Sequence, residues 1–180
     1  MCRAGLNQVD LDAATEAGVV IVHTPGRNAQ AVAELTIGLM FTLARHITQA
    51  HSFVTGGHWQ DPVEPYTALQ GVELAGKTLG IVGLGATGRR VAQAGLGLGM
   101  RVLGYDPYIV SPGRKWRGTI LTPLDDLLRA SNFITLHVPE TPDTEDMLNA
   151  RRLALLPKDA FLINTSSSSV VNLDALVRAL

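Results

Sequence analysis

A single cysteine, Cys2, stands in 180 residues, so a disulfide framework is excluded and the chain suits a reducing compartment. Aromatic residues make up only 5% of the sequence and charged residues 17%, and neither sign of charge prevails, with a formal net charge of −1. There is no basic tract, hence no electrostatic footprint for nucleic acid or for an anionic membrane. The longest apolar run, Ala31 to Ala44, is interrupted by Glu34 and two threonines and is too short to cross a bilayer. The residues after Met1 do not form an apolar segment behind a basic start, so no secretory leader is read there and a cytoplasmic location is expected. Aliphatic residues are what the sequence has in abundance. Hydrophobic residues reach 46% and the mean hydropathy is +0.18, which fits a packed core and not a disordered chain. The length is that of one compact domain, or of one domain with a piece of another.

Short apolar runs alternate with helical patterns. Val19-Val20-Ile21-Val22-His23 predicts a buried strand that stops at Thr24-Pro25-Gly26. Asn28 is a good N-cap for a long helix running to roughly His51. Gly56 to Trp59, Pro62 and Pro65 then break regular structure. From Thr78 the alternation becomes regular, with strands expected at 78–82, 101–105, 133–138 and 160–164. Helices are expected at 86–98, at 123–130 with Thr122 as cap and Pro123 first, at 145–156 with a break near Asn149, and from Asn172 onward. Strands separated by helices predict an α/β fold built on a Rossmann-type, doubly wound parallel sheet. Leu180 falls inside an amphipathic pattern and the strand at residue 19 lacks partners, so a piece of a longer protein is expected.

Gly83-Leu84-Gly85-Ala86-Thr87-Gly88 is a G-x-G-x-x-G placed directly after a strand and opening a helix. The first glycine makes the tight turn, and the second lets backbone approach a pyrophosphate. The third permits close helix–strand packing, and the helix N-terminus offers free N–H groups and positive potential. The next strand ends in Asp106, 18 residues beyond Gly88, where a carboxylate can accept both adenosine-ribose hydroxyls. A 2′-phosphate beside that carboxylate would be repelled by about 4 kcal/mol per unit charge pair at 4 Å and an effective dielectric of 20. NAD is therefore the expected cofactor, although Arg114, Lys115 and Arg117 follow and could reach back.

These residues resemble the D-isomer-specific 2-hydroxyacid dehydrogenase family, and its phosphoglycerate dehydrogenase branch in particular. The likeness runs over essentially the whole chain. Its carriers are Arg3-Ala4-Gly5, Val9 to Ala14, Asn28 to Glu34, Leu79 to Gly85, Tyr105-Asp106-Pro107, Leu136 to Pro139 and Ile163-Asn164-Thr165. The resemblance implies a second, flavodoxin-like substrate domain, of which residues 1–75 would be the end plus a long linking helix. Residues 76–180 would be the NAD-binding domain, C-terminally incomplete. It implies cofactor contacts at Gly83, Gly85, Ala86, Thr87, Gly88 and Asp106, with Val138 and Pro139 on the adenine side. Thr165, Ser166 and Ser167 would lie along the nicotinamide edge, and Ala4 and Gly5 would receive the substrate carboxylate.

The same resemblance exposes departures. The family motif runs Asn-Thr-Ala-Arg-Gly-Gly, so its substrate-anchoring arginine falls on Ser167, which cannot supply a charged bidentate fork. The family's histidine and its glutamate partner lie beyond residue 180. Two residues usual between Gly5 and Leu6 are missing. The expected activity is hydride transfer between NAD and C2 of a 2-hydroxy or 2-oxo acid, with 3-phosphoglycerate among the candidates, and the chain as written is expected to be inactive. The rival expectation is a non-catalytic, NAD(H)-binding or redox-sensing corepressor-like module. Another dehydrogenase class on the same sheet fits less well, because the likeness extends over Arg3 to Glu34.

No metal is expected, because His23, His46, His51 and His58 lack ligand spacing. His137, before a loop at a strand's C-terminal end, reads as packed and not catalytic, and His58-Trp59 as packing at a domain or subunit junction. Ser166 to Ser169 lack a nucleophile elbow and read as a polar loop. The helix from Asn28 is apolar on more than one face and is expected to be buried against more than its own domain, and the resemblance implies a homodimer contact there.

Overall fold

The computed structural model describes residue 6 and residues 8–61, 63–109 and 115–180. The chain opens with α1 (Leu11–Glu16), capped by the Asp10 carboxylate, which accepts the Ala13 N–H at 2.9 Å. Next come α2 (Ala29–Ala44), α3 (Ile47–Thr55) and α4 (Val63–Ala68).

This half departs from expectation. The segment Val19–His23 is not a strand, and Val19, Val20 and Val22 are 55%, 84% and 69% exposed. Its β-branched run signals a preference for a packed, pleated surface, and the sheet of this chain closes without it. The single helix expected to His51 is two, because His46 takes a left-handed conformation with φ 52°. Asn28 occupies the N-cap position of α2 but its side chain makes no capping bond. Pro65 lies inside α4, in the first turn, where a missing N–H costs nothing.

From residue 78 the alternation is as expected: β1 (Thr78–Val82), α5 (Ala86–Gly97) and β2 (Arg101–Tyr105). A short hairpin follows, β3 (Lys115–Trp116) and β4 (Thr119–Leu121), turning through Arg117 and Gly118 at φ 48° and 88°. Then come α6 (Leu124–Ala130), β5 (Phe133–Leu136), α7 (Ala150–Leu153), β6 (Phe161–Asn164), a 3-10 turn at Ser168–Val170 and α8 (Leu173–Ala179). Pro123, not Thr122, stands at the N-cap of α6. The helix expected over 145–156 shrinks to α7, because Asp146 is left-handed and Asn149 caps a new start by accepting the Arg152 N–H.

The sheet order is β3-β4-β2-β1-β5-β6, with β3 antiparallel at one edge and the other five strands parallel. Both faces are packed. Met40, Leu79, Ile81, Val91 and Phe133 belong to the core under α2 and α5, and Val82, Leu127, Ile134, Leu136 and Leu148 to the core on the other face. The chain runs outward from β1 through β2 to β4, then returns across β1 to β5 and β6. That reversal opens a crevice at the carboxyl ends of β1 and β5. Among the described residues no helix is long and apolar enough to cross a membrane.

Candidate functional site

The three loop glycines meet three different environments. Gly83 leaves β1 at φ 93°, and a Cβ there would come within 2.8 Å of the His137 carbonyl oxygen. A Cβ on Gly88 would fall on the Gly83 carbonyl oxygen, so the first turn of α5 lies directly on the loop. Gly85 is the exception. Its φ of −69° is ordinary, and a Cβ there would meet nothing within 4 Å. Gly85 gives α5 no side-chain cap, and among the described residues no partner is found for the first-turn N–H groups of Ala86 and Thr87. Free N–H groups, the positive end of a helix and room for close approach make an anion cradle. Arg89 stiffens it from behind, its Nε donating to the Leu84 carbonyl at 2.6 Å.

Asp106 follows β2 and is half-buried. One carboxylate oxygen accepts the Leu84 N–H at 2.9 Å and the other accepts the Tyr108 N–H at 3.0 Å. The acid therefore ties the glycine loop to the end of β2 and keeps lone pairs for a ligand. Beside it lies a hollow of about 250 Å³ lined by Tyr105, Pro107, Ile109, Leu121, Thr122 and Pro123. Val138 and Pro139 do not line that hollow, since Val138 is buried against Gly83 and Pro139 is exposed after it. Arg117 stacks on the Trp116 ring at 5.4 Å, as Arg89 does at 5.0 Å. Ala4, Gly5, Cys2 and Arg114 lie outside the described residues.

At the other end of the crevice, the turn after β6 is knit by its own side chains. Asn164 accepts the Ser166 N–H and donates to the Ser167 carbonyl. The Ser167 hydroxyl donates to the Glu140 carboxylate at 2.9 Å and lies 2.9 Å from the Ser169 hydroxyl. Thr165 is half-buried, with its hydroxyl 3.0 Å from that of Thr36 on α2. His137 sits at the end of β5. Burial pushes its imidazole down to about 4, so the ring is neutral near neutral pH. Its Nε2 and the Thr135 hydroxyl are sealed from solvent without a hydrogen-bond partner among the described residues.

Thr36, Arg89 and Glu140 were not singled out from the sequence. Thr36 left a trace, a polar residue amid the buried positions Ala33 and Met40, whereas nothing in the pattern pairs Glu140 with Ser167. Phe53 touches both His58 and Trp59, with ring centroids 5.8 and 6.4 Å away, so that pair packs within its own segment while Trp59 remains 58% exposed. No group of three or more metal-ligating side chains occurs among the described residues.

Comparison with known proteins agrees with this geometry. Residues 37–180 match the D-isomer specific 2-hydroxyacid dehydrogenase, NAD binding domain. A D-3-phosphoglycerate dehydrogenase of Methanocaldococcus jannaschii is 37% identical over 98% of this chain and 33% of its own length. A glyoxylate reductase of Thermofilum pendens is 38% identical over 98% of this chain and 52% of its own. The solved D-lactate dehydrogenase of Aquifex aeolicus, complexed with NAD and lactic acid, superposes with a TM-score of 0.85 at 36% identity, covering 98% of this chain and 51% of that one. The chain thus spans from about a third to about half of the relatives it matches. A glycine loop tied to an acid at the end of the second strand, on a sheet of this order and with these relatives, leads to one assignment: this chain belongs to the D-isomer specific 2-hydroxyacid dehydrogenase family and carries its NAD-binding fold.

Proposed function

We propose that this chain binds NAD(H) across the crevice as the cofactor half of a D-2-hydroxyacid dehydrogenase. Residues 76–180 would form the NAD-binding domain, and residues 1–75 the end of a substrate domain with its linking helix. The observation that carries the reading is the junction of Gly85 and Asp106. The one loop glycine whose Cβ position is open stands beside free N–H groups, and the loop is tied to the acid that would hold the ribose. These residues fit the cofactor. Gly83, Gly85, Ala86, Thr87 and Gly88 would form the pyrophosphate cradle, and Asp106 would accept the ribose hydroxyls and repel a 2′-phosphate. The apolar hollow beside Asp106 offers a place for the adenine. Thr165, Ser166 and Ser167 would border the nicotinamide. When bound, NAD supplies the hydride acceptor for C2 of a 2-hydroxy acid, 3-phosphoglycerate among the candidates.

Ser167 argues that this chain does not complete the reaction. Its hydroxyl is donated to Glu140, so the place of the family's arginine presents a serine beside a carboxylate. A substrate carboxylate gains no anchor there. The same feature favours the second reading, a non-catalytic NAD(H)-binding or redox-sensing module. The exposed apolar residues Leu35, Leu43 and Ile47 on α2 and α3 support a homodimer contact.

The test is a fluorescence titration with NADH and NADPH. Saturable NADH binding, at least about tenfold tighter than NADPH and weakened about 100-fold in Asp106→Ala, is expected. No saturable binding to a folded chain overturns the cofactor reading. In a version extended to the family's full length, Ser167→Arg distinguishes the two activity readings. Turnover of a D-2-hydroxy acid supports the dehydrogenase, and its absence at saturating NAD the non-catalytic module.

A further inference from the structure

We infer that Thr36, on α2, holds the Thr165 hydroxyl as a pure hydrogen-bond acceptor facing the nicotinamide carboxamide, which makes Thr36 a positioning residue for the cofactor. The inference rests on the NAD reading above and goes beyond it by assigning a polarity to one contact.

Thr36 is fully buried, on the face of α2 that packs against β6. Its hydroxyl oxygen lies 2.8 Å from the Val32 carbonyl oxygen and 3.0 Å from the Thr165 hydroxyl oxygen. A hydroxyl has one proton to give, and a carbonyl oxygen can only accept. Thr36 must therefore donate to Val32, since two oxygens 2.8 Å apart without a proton between them would repel. The proton in the second contact then comes from Thr165. The chain of donation runs Thr165 to Thr36 to Val32, and it leaves Thr165 with lone pairs alone to offer a ligand.

Thr165 follows the last residue of β6, at the carboxyl end of the sheet, and is half-buried, so its remaining side is open. Asp106 fixes the adenosine end of a dinucleotide at β2. The molecule must then cross the reversal point, which brings its other end to the carboxyl ends of β5 and β6. On the nicotinamide ring itself, the group able to give a proton to Thr165 is the carboxamide N–H₂. Without Thr36 the Thr165 proton would be free, and the hydroxyl would accept or donate indifferently.

The probe pair is NAD and 3-acetylpyridine adenine dinucleotide, which keeps the carbonyl on the pyridine ring and has a methyl group in place of the carboxamide N–H₂. Binding is measured by calorimetry for the wild type, Thr36→Val, Thr165→Val and Thr36→Ser, with ADP-ribose as a ligand lacking the nicotinamide. The wild type is expected to prefer NAD by about five- to tenfold. Thr165→Val should abolish that preference, Thr36→Val should lower it by a smaller factor, and Thr36→Ser should keep it at the wild-type value. ADP-ribose should bind all four proteins alike. An unchanged preference in Thr165→Val, which leaves the buried helix intact, overturns the inference while the NAD reading stands. Failure of the wild type to bind both NAD and ADP-ribose overturns the two together.

Discussion

The two ends of the crevice are built by different means. At the β2 end, backbone does the work: Gly83 and Gly88 are pressed so close that a single methyl group has no room, and Asp106 is fastened through main-chain N–H groups. At the β6 end, side chains bond to one another, Ser167 to Glu140, Ser169 to Ser167 and Thr165 to Thr36. Backbone packing tolerates little change, because a lost fit cannot be repaired by a rotamer. A side-chain network can lose one member and rearrange. On the reading proposed above, the β2 end would hold the cofactor, and the departure from the family pattern that the resemblance implies falls at the β6 end.

Substitutions at the ends should break that contrast or sharpen it. The largest effect is expected from Gly88→Ala, which sets a methyl group on the Gly83 carbonyl and should destabilise the fold by about 3 kcal/mol or more. Gly85→Ala, three residues earlier in the sequence but facing open space, should change stability by less than about 0.5 kcal/mol. It should nonetheless weaken NADH binding more than about tenfold, because its methyl group enters the cradle. Equal losses of stability in urea unfolding of the two variants would remove the distinction between packed and open glycines.

Next comes pH. Burial lowers the His137 pKa from 6.5 to about 4, so between those values the unfolded chain binds the extra proton. Its contribution to stability is complete above the unfolded pKa and is lost as pH falls toward the folded one, by about 2–3 kcal/mol at about pH 4.5. Urea unfolding at about pH 7 and about pH 4.5 should show this loss in the wild type and a smaller one in His137→Leu. The same slope in both would mean that other groups carry the acid sensitivity. The smallest effect is expected from Ser167→Ala, which removes a bond to an exposed carboxylate and should move NADH affinity by less than about twofold. A larger change would show that the β6 end is as rigid as the β2 end.

The regular half of the fold was legible because its strands are buried on both faces and therefore read as unbroken apolar runs, as in Leu79-Gly80-Ile81-Val82 and Phe133-Ile134-Thr135-Leu136. The glycine spacing and Asp106 were legible for a related reason: a tight turn and a charged strand end leave few residue choices. Val19–His23 misled because a β-branched run reports a wish for burial and cannot say what supplies it. The break at His46 carried no glycine or proline to announce it. The β3–β4 hairpin did carry a sign, Arg117-Gly118, whose two positive φ values suit a tight two-residue turn. Thr36 and Glu140 were hidden because their partners lie 129 and 27 residues away, and pairing over such separations is a property of the folded chain alone.

The placement of β1 bears on how the chain is made. Leu79 pairs on one side with Val102 and on the other with Phe133, so the first strand of the sheet to be synthesised waits for its second partner until β5 is made. While the ribosome adds the residues from β2 to β5, one edge of β1 has no neighbour, and unpaired apolar edges are where chains stick to one another. Parallel pairing over such a separation is also slow, because the loop must close before any contact rewards it. The arrangement that opens a crevice for a ligand in the finished molecule therefore leaves the nascent one with an unpaired strand edge for longer than a hairpin-built sheet would.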